Sequence, residues 1–214
     1  MPVPIPTPIY RLIHVENLHI CLRRAGLHAP NHTPDDGLAY KTIHNEDIQA
    51  KRQILRLPCG PRGVIHDYVS FYFGPRSPML YQLHTGWLPS YQEGQEPLIY
   101  LVSTAQDVAN SGSRFVFSNG HGIARFTDWF DSLDNLGEVD WNTVNARIWK
   151  DTEDDPDRQR RKQAEFLVHG FCDWEIIQDI GVLNSTMRDA VREIMGRFPR
   201  GLRRAVAIQR DWYY

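Results

Sequence analysis

Glu165 is the residue whose surroundings in the sequence most strongly suggest chemistry. It lies in "QAEFLVHGF", where alternation places Glu165 on one face of a predicted strand together with Leu167 and His169. A carboxylate buried alone among apolar residues is costly, so Glu165 needs either a partner or a functional role. The alternative is a glutamate on an edge strand that faces water.

Basic residues directly precede this strand and recur near the C-terminus. The segment "RQRRK", Arg158 to Lys162, follows the acidic run "DTEDDPD", and seven arginines lie from Arg188 to Arg210. Such clusters can neutralise the phosphates of a nucleic acid, but they also fit the solvated face of a helix. The net charge of −2 leaves both interpretations open.

Other kinds of reactive site find little support. The four histidines of the range His14–His32 have no zinc-ligand spacing, and no clustered cysteine or carboxylate completes a set of ligands. There is no glycine-rich loop of the Walker or dinucleotide-binding type, and "GHG" at Gly120–Gly122 is typical of a turn. No nucleophile elbow surrounds Ser70, Ser77 or Cys172. The sequence therefore predicts neither a metal site nor a serine or cysteine nucleophile.

The composition indicates a single domain over residues 1–214. Hydrophobic residues make up 42% of the chain and charged residues 23%, which suffices for a sizeable core. Apolar runs such as "PLIYLV" are too short to cross a bilayer, and the proline-rich start lacks the order of a secretion signal. Three widely spaced cysteines fit a reducing compartment. We therefore expect a cytoplasmic protein without a membrane partner, and by default a monomer.

Short strands and helices must position the candidate side chains. "YRLIH" predicts a first strand, and "VENLHICLRRAGL" predicts a helix that ends at Gly26. "NEDIQAKRQ" predicts a second helix, with Asn45 as its N-cap and acidic residues in its first turn. Strands and helices then intermix along the chain without a regular βαβ period.

The segment "VSFYFGPRSPMLY" predicts a strand, a turn and a helix in close succession. Gly74 and Pro75 end the strand, and Ser77 before Pro78 is a good N-cap with proline at the first helical position. By contrast, the polar segment from Asp134 to Lys162 predicts a long mobile loop with at most a helical turn near "VNARIW".

Four segments together resemble a known family. "FYFGPRSPMLY" is similar to the central motif of PARP-like ADP-ribosyltransferases, in which a strand and a serine-bearing helix wall the nicotinamide pocket. With "YRLIHVENL", "AKRQ" and "RRKQAEFLV", the sequence closely resembles the DarT family of bacterial toxins, which transfer ADP-ribose from NAD to thymine in single-stranded DNA. The resemblance implies the α+β ADP-ribosyltransferase (PARP-like) fold, with a split mixed/antiparallel β-sheet core and flanking helices.

The resemblance also implies roles for individual residues. Glu165 corresponds to the catalytic glutamate, and Arg52 to the active-site arginine that contacts the pyrophosphate or the substrate base. Tyr72 corresponds to the aromatic residue beside the nicotinamide, with Ser77 near its amide. The residues implied to bind NAD are His14, Asn17, Arg52, Tyr72 and Ser77. NAD is thus the implied co-substrate, and no metal is implied.

A DNA-binding surface is implied in the same way. In this fold the segment before the catalytic glutamate is the substrate-recognition loop, so its arginines are expected to contact phosphates and Trp141 or Trp149 to stack on a base. The residues implied to bind DNA are Met79, Trp149, Arg158, Arg160 and Arg161. Single-stranded DNA is the implied substrate, and a macrodomain antitoxin that removes the modification is the implied protein partner.

The residue types fit the implied reaction. Breaking the nicotinamide–ribose bond builds positive charge on the ribose, which a carboxylate in a partly dry pocket stabilises. Thymine N3 must lose its proton, either to Glu165 as general base or with Arg52 stabilising the developing anion. Two alternatives remain: an ADP-ribosyltransferase that acts on RNA or protein, and a non-catalytic module that binds single-stranded nucleic acid.

Overall fold

An eight-stranded sheet and a separate two-stranded ribbon form the framework of the computed structural model, which describes residues 1–214. The strands are β1 (Pro8–His14), β2 (Gly26–His28), β3 (Tyr68–Tyr72), β4 (Leu98–Thr104), β5 (Phe115–Ser118), β6 (Trp129–Phe130), β7 (Glu165–His169), β8 (Phe171–Asp173), β9 (Asp179–Val182) and β10 (Ala205–Ile208). In the large sheet they follow the order β10-β9-β4-β1-β3-β7-β5-β6, and β2 pairs with β8. Only β10 and β9 are parallel. The predicted mixed, mostly antiparallel sheet is therefore confirmed.

Seven α-helices flank the sheet and connect its strands. They are α1 (Leu18–Arg23), α2 (Glu46–Ile54), α3 (Pro78–His84), α4 (Ala105–Asn110), α5 (Trp141–Asn145), α6 (Arg158–Lys162) and α7 (Ser185–Gly196). The predicted N-caps are confirmed: the Asn45 side chain accepts from Ile48 N at 3.1 Å, and Ser77 Oγ accepts from Leu80 N at 3.2 Å. These caps satisfy amide donors that the first turn of a helix leaves free.

The prediction of a long mobile loop with at most one helical turn from Asp134 to Lys162 was wrong. A 3-10 helix at Leu133–Glu138 overlaps its start, and the helices α5 and α6 both lie within it. The few apolar residues of this segment anchor it to the core. Trp141 is buried, and its Nε1 donates to Leu136 O at 2.9 Å. Sparse but buried anchors of this kind give no regular periodicity in the sequence.

The large sheet is split between β1 and β3. β1 pairs with β4 along its whole length, from Pro8 opposite Thr104 to His14 opposite Leu98. With β3 it shares only the pair Tyr10 and Tyr72. The two strands therefore separate beyond this pair, and the space between them becomes available to a ligand.

The C-terminal residues pack back against the helix that follows β3. Tyr213 is 2% exposed, and its hydroxyl donates to Leu98 O at 2.9 Å. The Tyr214 hydroxyl donates to Arg76 O at 2.7 Å, and Arg76 lies over the Tyr214 ring at 4.3 Å from its centroid. This tail supports the turn between β3 and α3 from behind. No helix of the protein combines the length and the apolar character needed to cross a membrane.

Candidate active site

A cavity of about 780 Å³ opens where β1 and β3 separate. Its wall is built by β1, α2, β3, α3 and β7, together with the loop between β5 and β6. Side chains that line it include Arg11, Arg52, Tyr72, Met79, His121 and Glu165. A concave site of this size with charged and aromatic residues suits a small organic molecule that carries charged groups.

Glu165 and Arg52 form a buried ion pair in the cavity wall. Glu165 is 3% exposed and Arg52 is 8% exposed. Arg52 Nη1 donates to Glu165 Oε1 at 2.9 Å and Nη2 donates to Oε2 at 2.8 Å, so the two planar groups meet side by side. Nη2 also donates to Ser70 Oγ at 2.7 Å, and Gly122 N donates to Glu165 Oε1 at 3.0 Å. The carboxylate is therefore held in one orientation by two separate elements.

The ion pair keeps Glu165 negatively charged. Burial pushes the pKa of Glu165 upward, but the Arg52 guanidinium more than offsets it, so that pKa lies below its ordinary value. Glu165 in turn raises the pKa of Arg52 above its ordinary value, against the effect of burial. Both groups are therefore ionised at neutral pH, and the cavity wall holds a carboxylate whose charge is paired with Arg52 in a place with little water.

Tyr72 is the direct cross-strand neighbour of Glu165, because β3 and β7 are adjacent antiparallel strands with these two residues paired in register. Burial raises the pKa of the Tyr72 phenol well above its ordinary value, so the ring stays neutral. Its hydroxyl donates to Met79 Sδ at 3.7 Å, which links the end of β3 to the first turn of α3. A flat neutral ring therefore stands beside the ionised carboxylate.

His121 and Gly122 approach the carboxylate from the loop between β5 and β6. Burial lowers the pKa of His121, so its ring is neutral at pH 7. The loop is held in place because His121 N donates to Arg160 O at 2.9 Å and Thr127 Oγ1 donates to His121 O at 2.8 Å. The sequence predicted only a turn here, because nothing in "GHG" reveals that Glu165, 43 residues beyond Gly122, lies against it.

The cavity wall includes six of the side chains predicted to act in the site, namely Asn17, Arg52, Tyr72, Met79, Arg160 and Glu165. Asn17 forms a reciprocal pair with the backbone of Lys41, since its Nδ2 donates to Lys41 O at 2.9 Å and its Oδ1 accepts from Lys41 N at 2.7 Å. Asn17 therefore fixes the chain segment that closes one side of the cavity.

His14 and Ser77 lie outside the cavity lining, unlike their predicted placement. The His14 Nδ1 accepts from Glu16 N at 3.2 Å and caps the 3-10 helix at Val15–Asn17, while its Nε2 lies 3.3 Å from Glu93 Oε2. The Ser77 hydroxyl is buried as the cap of α3. Both side chains shape the cavity through the backbone that they hold.

Trp149, Arg158 and Arg161 also lie outside the lining, and each has a partner within the protein. Trp149 is buried, and its Nε1 donates to the Tyr214 hydroxyl at 2.5 Å. Arg158 Nη2 donates to Ile148 O at 2.9 Å. Arg161 forms ion pairs with Asp140 and Asp155. The acidic run that precedes "RQRRK" thus neutralises part of its charge and orders the segment.

A group of His14, Glu16 and Glu93 has its ligand atoms close enough together to hold a metal ion. Lys41 already occupies the position between the carboxylates, with Nζ 3.1 Å from Glu16 Oε1 and 2.6 Å from Glu93 Oε1. The ammonium group therefore supplies the positive charge that these two acids require.

The chain is similar over nearly its whole length to proteins that modify DNA. Residues 10–214 match the family model described as "ssDNA thymidine ADP-ribosyltransferase, DarT". A DNA ADP-ribosyl transferase from Thermus sp. (strain 2.9) is 41% identical over 211 residues, covering 99% of this chain and 98% of that protein. A DNA ADP-ribosyl transferase from Escherichia coli O127:H6 is 32% identical, covering 96% of this chain and 93% of that protein.

Solved structures agree with the sequence comparison. Thermus sp. 2.9 DarT in complex with ADP-ribosylated single-stranded DNA superposes with a TM-score of 0.94 at 40% identity, covering 100% of this chain and 99% of that one. The same Thermus protein in complex with NAD+ gives a TM-score of 0.88 at 39% identity, with full coverage of both chains. Thermosipho africanus DarTG in complex with ADP-ribose, at 17% identity and a TM-score of 0.78, shares the fold and is covered over 51% of its length.

Proposed function

This chain belongs to the DarT family of single-stranded-DNA thymidine ADP-ribosyltransferases, and from this membership we propose that it transfers ADP-ribose from NAD to thymine bases of single-stranded DNA. NAD is the co-substrate, and nicotinamide is the leaving group. The observation that carries the proposal is the ionised Glu165, fixed by Arg52 and Gly122 in the wall of a cavity that lies at the split of the sheet. The solved Thermus complexes with NAD+ and with ADP-ribosylated DNA support both substrates.

The reaction needs a negative charge where the ribose becomes positive. When the bond between the pyridinium nitrogen and ribose C1′ breaks, the electron pair leaves with nicotinamide and the ribose acquires oxocarbenium character. A new bond then forms from thymine N3 to C1′, and the N3 proton is released. Glu165 stabilises the positive ribose because its charge is already in place and its orientation does not have to change.

Arg52 acts on Glu165 rather than on the thymine in this arrangement. Both of its terminal nitrogens donate to Glu165, and one of them also donates to Ser70. Of the two groups, only the Glu165 carboxylate has lone pairs that can accept the N3 proton. Its lowered pKa makes it a weak base. Tyr72 and Met79 provide the wall against which the nicotinamide and the target base are positioned.

Single-stranded DNA is the favoured substrate for a physical reason. The thymine must leave its stack and enter the cavity, and this costs least when the base is unpaired. Among the arginines before Glu165, Arg160 lines the cavity, whereas Arg158 and Arg161 hold the segment together. We assign the DNA contact in this segment to Arg160 on that basis.

Family membership also supports the wider biological role. The protein acts as a toxin that blocks replication, and a macrodomain antitoxin that removes the modification is its partner. It acts as a monomer in the cytoplasm, where DNA and NAD are both present.

The test is labelling of oligonucleotides with NAD that carries the label in its ADP-ribose part. Label is expected only on thymine-containing single strands, and Glu165→Ala should lower its rate by at least about 100-fold, the usual effect of losing one electrostatic catalytic group. Glu175→Ala, which removes an exposed acid outside the cavity lining, is the matched control and should keep full activity.

Other outcomes of this experiment point to other functions. Label on RNA or on protein would retain the ADP-ribosyl transfer and replace the substrate. Tight DNA binding by both forms without any label would favour a non-catalytic binding module and would contradict the proposed function.

A further inference from the structure

An exposed phenylalanine lies at the rim of the cavity. Phe126 is 79% exposed and belongs to none of the three apolar clusters of the protein. It lies in the loop between β5 and β6, whose residues His121, Ile123 and Ala124 line the cavity. A single exposed apolar side chain is common on protein surfaces and by itself means little. The position of Phe126 and the rigidity of its loop are what distinguish it.

The loop that carries this ring is held firmly by hydrogen bonds. Asp128 N donates to Asn119 Oδ1 at 3.0 Å, and Asn119 Nδ2 donates back to Asp128 Oδ2 at 3.0 Å, so the two ends of the loop are joined. Within the loop, Thr127 N donates to Ala124 O at 3.2 Å and Thr127 Oγ1 donates to His121 O at 2.8 Å. A ring on a backbone that is already fixed loses little conformational freedom when a flat ligand covers it.

Phe126 lies close to the two residues that are assigned to the acceptor strand. Arg160 Nη1 donates to Thr127 Oγ1 at 3.3 Å, and the Cα atom of Phe126 is about 3.8 Å from that of Thr127 because the two are consecutive. Gly122, in the same loop, donates to Glu165. A strand whose thymine reaches Glu165 and whose phosphate meets Arg160 must pass this loop. The nucleotide next to the thymine is the one that comes within reach of the ring.

The charge beside the ring also suits a DNA strand. Arg125 is exposed and forms no ion pair or hydrogen bond within the protein. The nearest acid in the loop, Asp128, is engaged by Asn119. Every base has a face that stacks on an aromatic ring, and every nucleotide of the strand carries a phosphate for a free guanidinium. An apolar protein segment would match the ring but not the arginine.

Building on the proposed function, we propose that Phe126 stacks on the base next to the target thymine and that Arg125 contacts a phosphate of the same strand. The ring lies outside the lining of the cavity, so it acts on the DNA and not on NAD. Stacking accepts every base but not with equal strength. Phe126 therefore strengthens DNA binding and contributes to the choice of the neighbouring base.

Binding of oligonucleotides in the absence of NAD tests this assignment. Short fluorescent single strands with one thymine are titrated against the wild type, Phe126→Ala and Phe126→Trp, and binding is followed by fluorescence anisotropy. Phe126→Ala is expected to weaken binding about 5- to 100-fold, the usual effect of losing one stacked base. Phe126→Trp should bind as tightly as the wild type, because its ring still stacks. Ile5→Ala, at an apolar side chain that is 81% exposed outside the cavity lining, is the control and should also bind normally.

Strands that lack one base identify the stacked position. An abasic site on one side of the thymine should weaken binding to the wild type as much as Phe126→Ala does, and it should have no further effect on that variant. The salt dependence separates the ring from the arginine. Arg125→Gln should reduce the slope of log affinity against log salt by about 0.7, the value for one phosphate contact on a single strand, whereas Phe126→Ala should leave the slope unchanged.

Three results would overturn the role of Phe126. The first is unchanged DNA affinity of Phe126→Ala, and the second is a loss that adds to that of every abasic site, which would mean that no neighbouring base stacks on the ring. The third is weaker NAD binding by Phe126→Ala in an NMR titration, which would mean that the ring only shapes the loop. An unchanged salt slope in Arg125→Gln would refute the phosphate contact.

The oligonucleotide titrations contain no NAD, so they are independent of the transfer reaction. Failure of thymine labelling would refute the proposed function without affecting the role of Phe126. Normal thymine labelling together with unchanged DNA affinity of Phe126→Ala would refute that role and leave the proposed function intact.

Discussion

At the scale of single residues, the charge of Glu165 depends on Arg52. Burial alone would raise the pKa of this carboxyl and make it neutral, which would abolish its attraction for a positive ribose. The bidentate contact with Arg52 reverses that effect. The pair is therefore better understood as a device that maintains a buried charge than as a source of stability.

Replacement of Arg52 by methionine is expected to change the pH dependence of the reaction. In the wild type the pKa of Glu165 lies below its ordinary value of 4.5, so activity is lost only as the pH falls through that lower value. In Arg52→Met the uncompensated burial raises the pKa of Glu165, and the acid limb should move to higher pH. The measurement is kcat/KM for nicotinamide release across the acid and neutral range, in samples shown by urea unfolding to be folded.

Arg52→Lys is the control for this prediction. Lysine keeps a positive charge beside Glu165 but cannot form both hydrogen bonds, so its acid limb should lie between those of the other two proteins. An acid limb in Arg52→Met at the wild-type pH would contradict the argument. The cause of ionisation would then be the Gly122 amide rather than the guanidinium.

The sequence predicted Glu165 and Arg52 as site residues, but it did not predict that they are partners. The two lie 113 residues apart, and only the fold brings α2 against β7. The sequence alone does not show which charged groups the fold brings next to each side chain.

At the scale of elements, the loop between β5 and β6 is as important as the strands it joins. A Cβ atom added at Gly122 would lie 3.0 Å from Glu165 Oε1 and 3.3 Å from Ile65 Cδ1. Either the loop or the Glu165 carboxylate would have to shift by a few tenths of an ångström to accept it. Either shift alters the hydrogen bond that the Gly122 amide donates to the carboxylate.

Gly122→Ala is therefore expected to impair catalysis more than folding. We expect kcat for DNA labelling to fall by about 10-fold or more, as when one charge-assisted hydrogen bond is weakened, with a melting temperature close to that of the wild type. Gly137→Ala is the matched control, because a Cβ there meets no atom within 4 Å. Equal activity of the two variants would show that the close approach of Gly122 has no catalytic consequence.

Element boundaries were predictable where local chemistry decides them. Asn45 and Ser77 were identified as caps from their types and neighbours alone, and both accept the expected amide. The helices between Asp134 and Lys162 were missed because they depend on contacts such as those of Arg161 with Asp140 and Asp155. A helix held by ion pairs within a polar segment lacks the regular spacing of apolar residues from which helices are predicted.

At the scale of the whole molecule, the chain end and the active-site wall form one packed unit. Tyr213 belongs to the apolar cluster beneath α3, and Tyr214 is bonded to the turn before that helix. The split of the sheet leaves β1 and β3 joined by little direct pairing. Packing behind α3 therefore contributes to holding the cavity in shape.

Tyr213→Ala is expected to lower the free energy of unfolding by about 3–5 kcal/mol, as for other large side chains truncated in a core. Urea unfolding provides the measurement. Trp87→Ala, at a tryptophan that is 76% exposed, is the control and should change the free energy by no more than about 0.5 kcal/mol. Similar values for the two variants would mean that the tail does not support the fold.

The arrangement around Glu165 also has a consequence for genetics. Its carboxylate is contacted by Arg52, 113 residues away in the sequence, and by Gly122, 43 residues away. If bacteria are selected for survival while the gene is expressed, inactivating missense mutations that leave the protein folded should be enriched in three separate stretches of the gene, around codons 52, 122 and 165. A map of surviving clones would thus trace the active site without any structure.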